Sequence, residues 1–224
     1  KYTEALDAIE RSLVRNWHNH KARQLKCSVL RKLGRTEEAV SWADDSLKID
    51  RFNMGCRFEK YLLTRDENVL AEMKSLMRGW SHGYVEYALD FAGAGLYDEA
   101  IELLQAYLSG AHDVYPMIYC ALGYYYSLKG DKENSLKYYK KLEEANPDRC
   151  FPNRIEEVNM LQDAINNNPQ GAKANYYLGN FWYAMRQYDN AIACWEESVK
   201  LDDKYPTVWR NLSLAYYNLS LIHI

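Results

Sequence analysis

Between Ala172 and Tyr205 large apolar and aromatic residues recur at three- and four-residue spacings with polar residues between them. That is the period of one helix face, so the stretch predicts two amphipathic helices joined by a tight turn. Leu178 and Gly179 fall in the first helix with Trp182 one turn on, and Tyr188, Ala191 and Trp195 mark the second. The same order returns 34 residues later, where Leu212-Ser213 takes the place of Leu178-Gly179. A unit of this length cannot bury its apolar face alone, so neighbouring units must stack. The pattern therefore predicts an all-α chain with its helices paired in sequence order.

Earlier segments follow the same register with interruptions. Residues 1–15 read as a lone second helix with Ala5, Ile9 and Ser12 as its inner stripe, and 20–50 as a full pair with Cys27 at the small position and a turn at Gly34. Residues 51–79 are degenerate: Tyr61 falls where a small residue belongs, which predicts shorter or splayed helices. The pattern recovers over 81–115 and 116–147, with Ala88 and Gly123 at the small positions. It then fails again, and 148–171 has room for one inserted helix, with Ile155, Val158, Leu161 and Ile165 at helical spacing. The regular pair at 172–205 and a half unit at 206–218 complete the series. Prolines 116, 147, 152, 169 and 206 all fall at these boundaries, where a missing N–H and a fixed φ are tolerated. Trp182, Trp195, Tyr126, Tyr139, Tyr188, Trp209 and Tyr216 occupy patterned positions and read as core.

Composition narrows the function classes. The 224 residues carry a formal net charge of −3, which gives no electrostatic case for nucleic acid or an anionic membrane. No apolar run is long enough for a membrane span. Five cysteines without a C-x-x-C pair read as reduced thiols in a cytoplasmic protein. His18 and His20 are two apart and diverge on a helix, a poor spacing for a metal. The carboxylate pairs Asp44-Asp45, Glu143-Glu144 and Glu156-Glu157 diverge in the same way, and there is no phosphate-cradling loop, nucleophile motif or cofactor motif. The segment is therefore expected to be non-catalytic and free of cofactor and metal. Its ends read as those of a piece of a longer protein: Lys1 starts within a pair, and 219–224 (LSLIHI) breaks the helix pattern and resembles a translated adaptor end, so it is set apart from the fold.

The residues quoted above resemble tetratricopeptide repeats over most of Lys1 to Asn218, with departures at 51–79 and 148–171. The resemblance implies a right-handed α-α superhelix whose first helices line a concave groove. On that side lie Tyr176, Asn180 and Tyr183, with Cys120, Tyr124 and Ser127 equivalent before them and Arg210, Leu214 and Tyr217 after. Tyr176, Asn180, Tyr183, Arg210, Tyr217 and Tyr124 are the candidate ligand-binding residues. Arrays that hold chaperone C-termini place lysine and asparagine where this chain has Gln24 and Ser28, which argues against that ligand. Trp17-His-Asn-His-Lys-Ala-Arg23 and Phe151-Pro-Asn-Arg154 are similar to the C-terminal array of large bacterial proteins of uncharacterised family that begin with a carbohydrate-enzyme-like β-sandwich. Two functions follow as expectations: a scaffold binding a protein, a peptide or the parent's own N-terminal domain, or an accessory region of a carbohydrate-active enzyme that contacts its catalytic domain or a glycan.

Overall fold

The computed structural model describes residues 1–222, in which there are thirteen α-helices and no strand. None of the helices among the described residues is long and apolar enough to cross a membrane. The chain divides into two compact units, Lys1–Asp90 and Phe91 onward.

The first unit contains α1 (Tyr2–Arg15), α2 (His20–Lys32), α3 (Thr36–Ile49), α4 (Met54–Thr64), α5 (Glu67–Met77) and the start of α6 (Ser81–Gly93). Leu6, Ile9 and Leu13 of α1 pack on Val29 and Leu30 of α2 and Ala39 of α3. The stripe expected at Ala5, Ile9 and Ser12 is thus rotated. Ser12 is exposed because the large side chains at 6 and 13 take the inner face instead.

The Trp17-to-Arg23 motif is a folding device. Asn19 caps α2, its Oδ1 accepting from Ala22 N at 3.0 Å. Arg23 is fully buried, with its guanidinium 4.9 Å from the Trp17 ring and 4.2 Å from the Trp42 ring. It donates from Nε to Ser46 Oγ at 2.9 Å and from Nη1 to the Trp17 carbonyl at 3.3 Å. Glu59 is also fully buried and is satisfied by Ser28 Oγ at 2.6 Å and Arg31 Nε at 2.7 Å, which ties α4 to α2. The degenerate stretch forms two helices of 11 residues each, α4 and α5. Tyr61 is half-buried, and α4 comes close to α2 at Gly55, where a Cβ would stand 2.0 Å from Gln24 Oε1.

The second unit contains the end of α6, α7 (Tyr97–Leu108), α8 (Pro116–Leu128), α9 (Lys132–Glu144), α10 (Ile155–Asn167), α11 (Lys173–Ala184), α12 (Tyr188–Leu201) and α13 (Pro206–Ile222). The small positions have a measurable cause here. A Cβ on Gly123 of α8 would lie 2.3 Å from the Tyr139 ring of α9, and one on Gly179 of α11 would lie 2.4 Å from Trp195 Nε1 of α12. Each glycine makes room for the aromatic ring of its paired helix.

The inserted helix α10 packs on both α8 and α11. Its buried residues include Glu157, Met160, Leu161 and Ala164, whereas Ile155 is 67% exposed, so the inner face differs from the stripe expected from apolar spacing. The cause is Glu157. Its carboxylate turns in to accept from the backbone N–H groups of Asn153 and Arg154 at 2.8 and 2.9 Å, capping α10. Asp163 binds α10 back to its neighbours, accepting from Tyr139 Oη at 2.5 Å and Ser127 Oγ at 3.2 Å. Glu143 of α9 meets the start of α11, where it accepts from Lys173 N at 3.0 Å.

Two aromatics assigned to the core are not in it: Trp209 is 50% exposed and Tyr216 48%. Among the described residues α13 packs chiefly on α12, so only its Val208, Leu212 and Ala215 face is covered. The break expected at 219 does not occur, since α13 continues to Ile222; residues 223–224 lie outside the described residues.

Candidate functional site

A cavity of about 520 Å³ opens in the second unit between α11, α13 and the loop at 147–151. It brings together four of the six candidate residues, Tyr176, Asn180, Tyr183 and Arg210. Tyr217 is 62% exposed on α13 outside the lining, and Tyr124 sits 6.1 Å from the Tyr125 ring, also outside it. Burial holds the Tyr124 hydroxyl above its ordinary pKa.

The four residues differ in what they offer. Tyr176 is only 4% exposed, its ring 4.8 Å from Tyr205 and 5.3 Å from Tyr177, so it supports the cavity floor more than it presents itself to a ligand. Tyr183 is half-buried, 5.4 Å from Trp195 and 5.3 Å from Tyr188, and its hydroxyl accepts from Asn218 Nδ2 at 3.1 Å. These rings give an apolar wall with polar edges.

Asn180 is the hub of a directional network. Trp195 Nε1 donates to Asn180 Oδ1 at 3.2 Å, and also to the Tyr176 carbonyl at 3.2 Å. Asn211 Nδ2 donates to the same Asn180 oxygen at 3.2 Å, while Asn211 Oδ1 accepts from Arg210 Nη2 at 3.2 Å. Indole and guanidinium can only donate, so they fix the orientation of both amides. Among the described residues the Asn180 Nδ2 group is left buried without a hydrogen-bond partner.

The loop residues Asp148, Arg149 and Phe151 were not among the candidates, yet they form one wall. Cys150 is 1% exposed and Pro152 is buried, which pins the loop; Phe151 between them is 66% exposed. Arg149 holds a positive φ of 61°. The signal available in the sequence was the coincidence of a broken period with a proline-flanked Phe151.

The first unit has a smaller cavity of about 300 Å³ lined by His20, Lys21, Gln24, Asn53, Trp80 and Tyr87, among others. Lys21 closes one side through a 2.7 Å ion pair with Asp90. No group of three His, Cys, Asp or Glu side chains among the described residues is arranged to hold a metal ion.

Comparison with known proteins gives two family matches, one described as a tetratricopeptide repeat over residues 118–149 and one as a TPR repeat over 182–220. Among solved structures, the chain is similar to MamA at 19% identity, covering 86% of this chain and 83% of that one with a TM-score of 0.31. It is similar to TTC0263, a thermophilic TPR protein of Thermus thermophilus, at 15% identity over 96% of this chain and 91% of that one, with a TM-score of 0.28. It is also similar to YrrB, a TPR protein with an unusual peptide-binding site, at 13% identity over 92% and 98% of the two chains, with a TM-score of 0.27. Two stretches of this all-α chain, 118–149 and 182–220, thus match tetratricopeptide repeats.

Proposed function

We propose that the chain is a non-catalytic helical-repeat scaffold that holds an extended peptide segment in the cavity between α11, α13 and the 147–151 loop. The segment belongs to a partner protein or to another part of the same polypeptide. The observation that carries this reading is the Asn180 amide, a buried donor left without a partner inside a ring-lined cavity of about 520 Å³. A buried donor left unpaired costs about 1–3 kcal/mol, which a ligand acceptor would recover. A peptide supplies carbonyl oxygens along its length and side chains for the apolar wall.

The test is binding of fluorescent peptides, selected from a displayed random library, to the wild type and to Leu214→Glu. Leu214 lines the cavity and is 53% exposed, so the substitution changes the cavity and leaves the helix packing alone. Loss of binding with unchanged helicity and melting is expected. Equal binding by both proteins would refute the assignment.

A further inference from the structure

We propose that the period-breaking loop makes this cavity selective for a peptide carrying an acidic side chain next to a large apolar one. The inference rests on the peptide reading above and adds the chemistry of the ligand. Its first support is the sense of the polar groups. Asn180 Nδ2 is a buried donor with no partner among the described residues, and the amide orientation is fixed by Trp195 and, through Asn211, by Arg210. Among the described residues Arg210 is exposed with a single bond, to Asn211, and Arg149 is exposed on the loop with no ion pair. All three groups donate and two carry full positive charge. Asp148 supplies the lining's one negative charge and is not in ion-pair contact with either guanidinium. The lining therefore carries two positive charges against one negative, and a carboxylate matches guanidinium better than a neutral carbonyl does.

The second support is the loop itself. Burial of Cys150 and Pro152 leaves Arg149 and Phe151 as the residues the loop brings to the cavity. A cation and an exposed ring lie two residues apart on one wall, with Arg210 and Leu214 on the other. Both walls pair a positive charge with an apolar surface, so a peptide placing an acid beside an aromatic or aliphatic residue satisfies both. An uninterrupted 34-residue period would have no such loop at this place.

The experiment uses the whole chain and a random peptide library fused to its carrier at the C-terminus, so that any selected carboxylate is a side chain. The wild type should enrich Asp or Glu adjacent to a large apolar residue. The Arg149→Glu/Arg210→Glu double variant should lose that preference and enrich Lys or Arg, and Arg210→Ala alone should weaken the wild-type peptides about tenfold or more. Selected peptides without acidic preference, or a double variant that keeps it, overturn the inference. A third variant, Ala184→Trp, fills the cavity from an exposed position without changing charge. Peptides blocked by Ala184→Trp but lacking an acid would sink the charge assignment alone. Peptides that bind Ala184→Trp undiminished, or a library that yields none, would sink the cavity reading with it. Far-UV circular dichroism on each variant separates these outcomes from misfolding.

Discussion

Gly179→Ala is a sharp test of the helix crossing because two effects of opposite sign compete. In an open helix interior the change would stabilise by about 1 kcal/mol, since alanine loses less backbone entropy. At this site the new Cβ would stand 2.4 Å from Trp195 Nε1, 2.5 Å from Trp195 Cδ1 and 3.1 Å from the Ala191 carbonyl. The indole must move, yet it is 2% exposed and its Nε1 is shared between the Tyr176 carbonyl and Asn180 Oδ1. Overpacking costs about 1–3 kcal/mol, and a lost buried hydrogen bond adds about 1 kcal/mol. The net expectation is destabilisation of about 1–3 kcal/mol, after the helix-propensity gain is subtracted. Urea denaturation followed by far-UV circular dichroism measures it, with Trp195→Leu and the double variant completing a cycle. The double variant should recover at least about 0.5 kcal/mol relative to additivity, which is the order found for side chains in contact. A variant as stable as wild type, or a strictly additive cycle, would show that the ring does not fix this residue as glycine.

Further outcomes follow from the same packing. Arg23→Lys should destabilise nearly as much as Arg23→Ala, because an ammonium cannot span the two indoles while donating to both Ser46 and the Trp17 carbonyl; a wild-type melt for Arg23→Lys would contradict this. Burial raises the Glu143 carboxyl above its usual 4.5, against the pull of the Lys173 N–H and charge. The native state then holds that proton more tightly than the unfolded chain, so this group's contribution is largest below about pH 4.5 and declines as pH rises through the folded pKa. Glu143→Gln should flatten the fall in stability from acid toward neutral pH, and an unchanged slope in urea melts across that range would refute it.

The repeats were legible because their mechanical parts are short-range. Gly123 and Gly179 each precede an aromatic partner at fixed spacing, and that spacing survives in sequence. Four cavity residues were legible for the same reason, since Tyr176, Asn180 and Tyr183 share a helix face and Arg210 lies one period beyond Tyr176. What failed depended on contacts that periodicity does not encode. The α10 inner face is set by Glu157 turning inward to cap its own helix, which an apolar count reads as a solvent residue. Trp209 and Tyr216 obey the pattern, but burial needs a neighbour on their side of α13. The loop wall was missed because the conformation of 147–151 is set by tertiary anchors at Cys150 and Pro152.

The most direct test of the central claim is hydrogen–deuterium exchange on the whole chain with and without a saturating selected peptide. Slowed exchange should concentrate in 147–151 and in the cavity-facing turns of α11 and α13, with residues 1–90 unchanged. Protection confined to 1–90, or none in the loop and α13, would contradict the account.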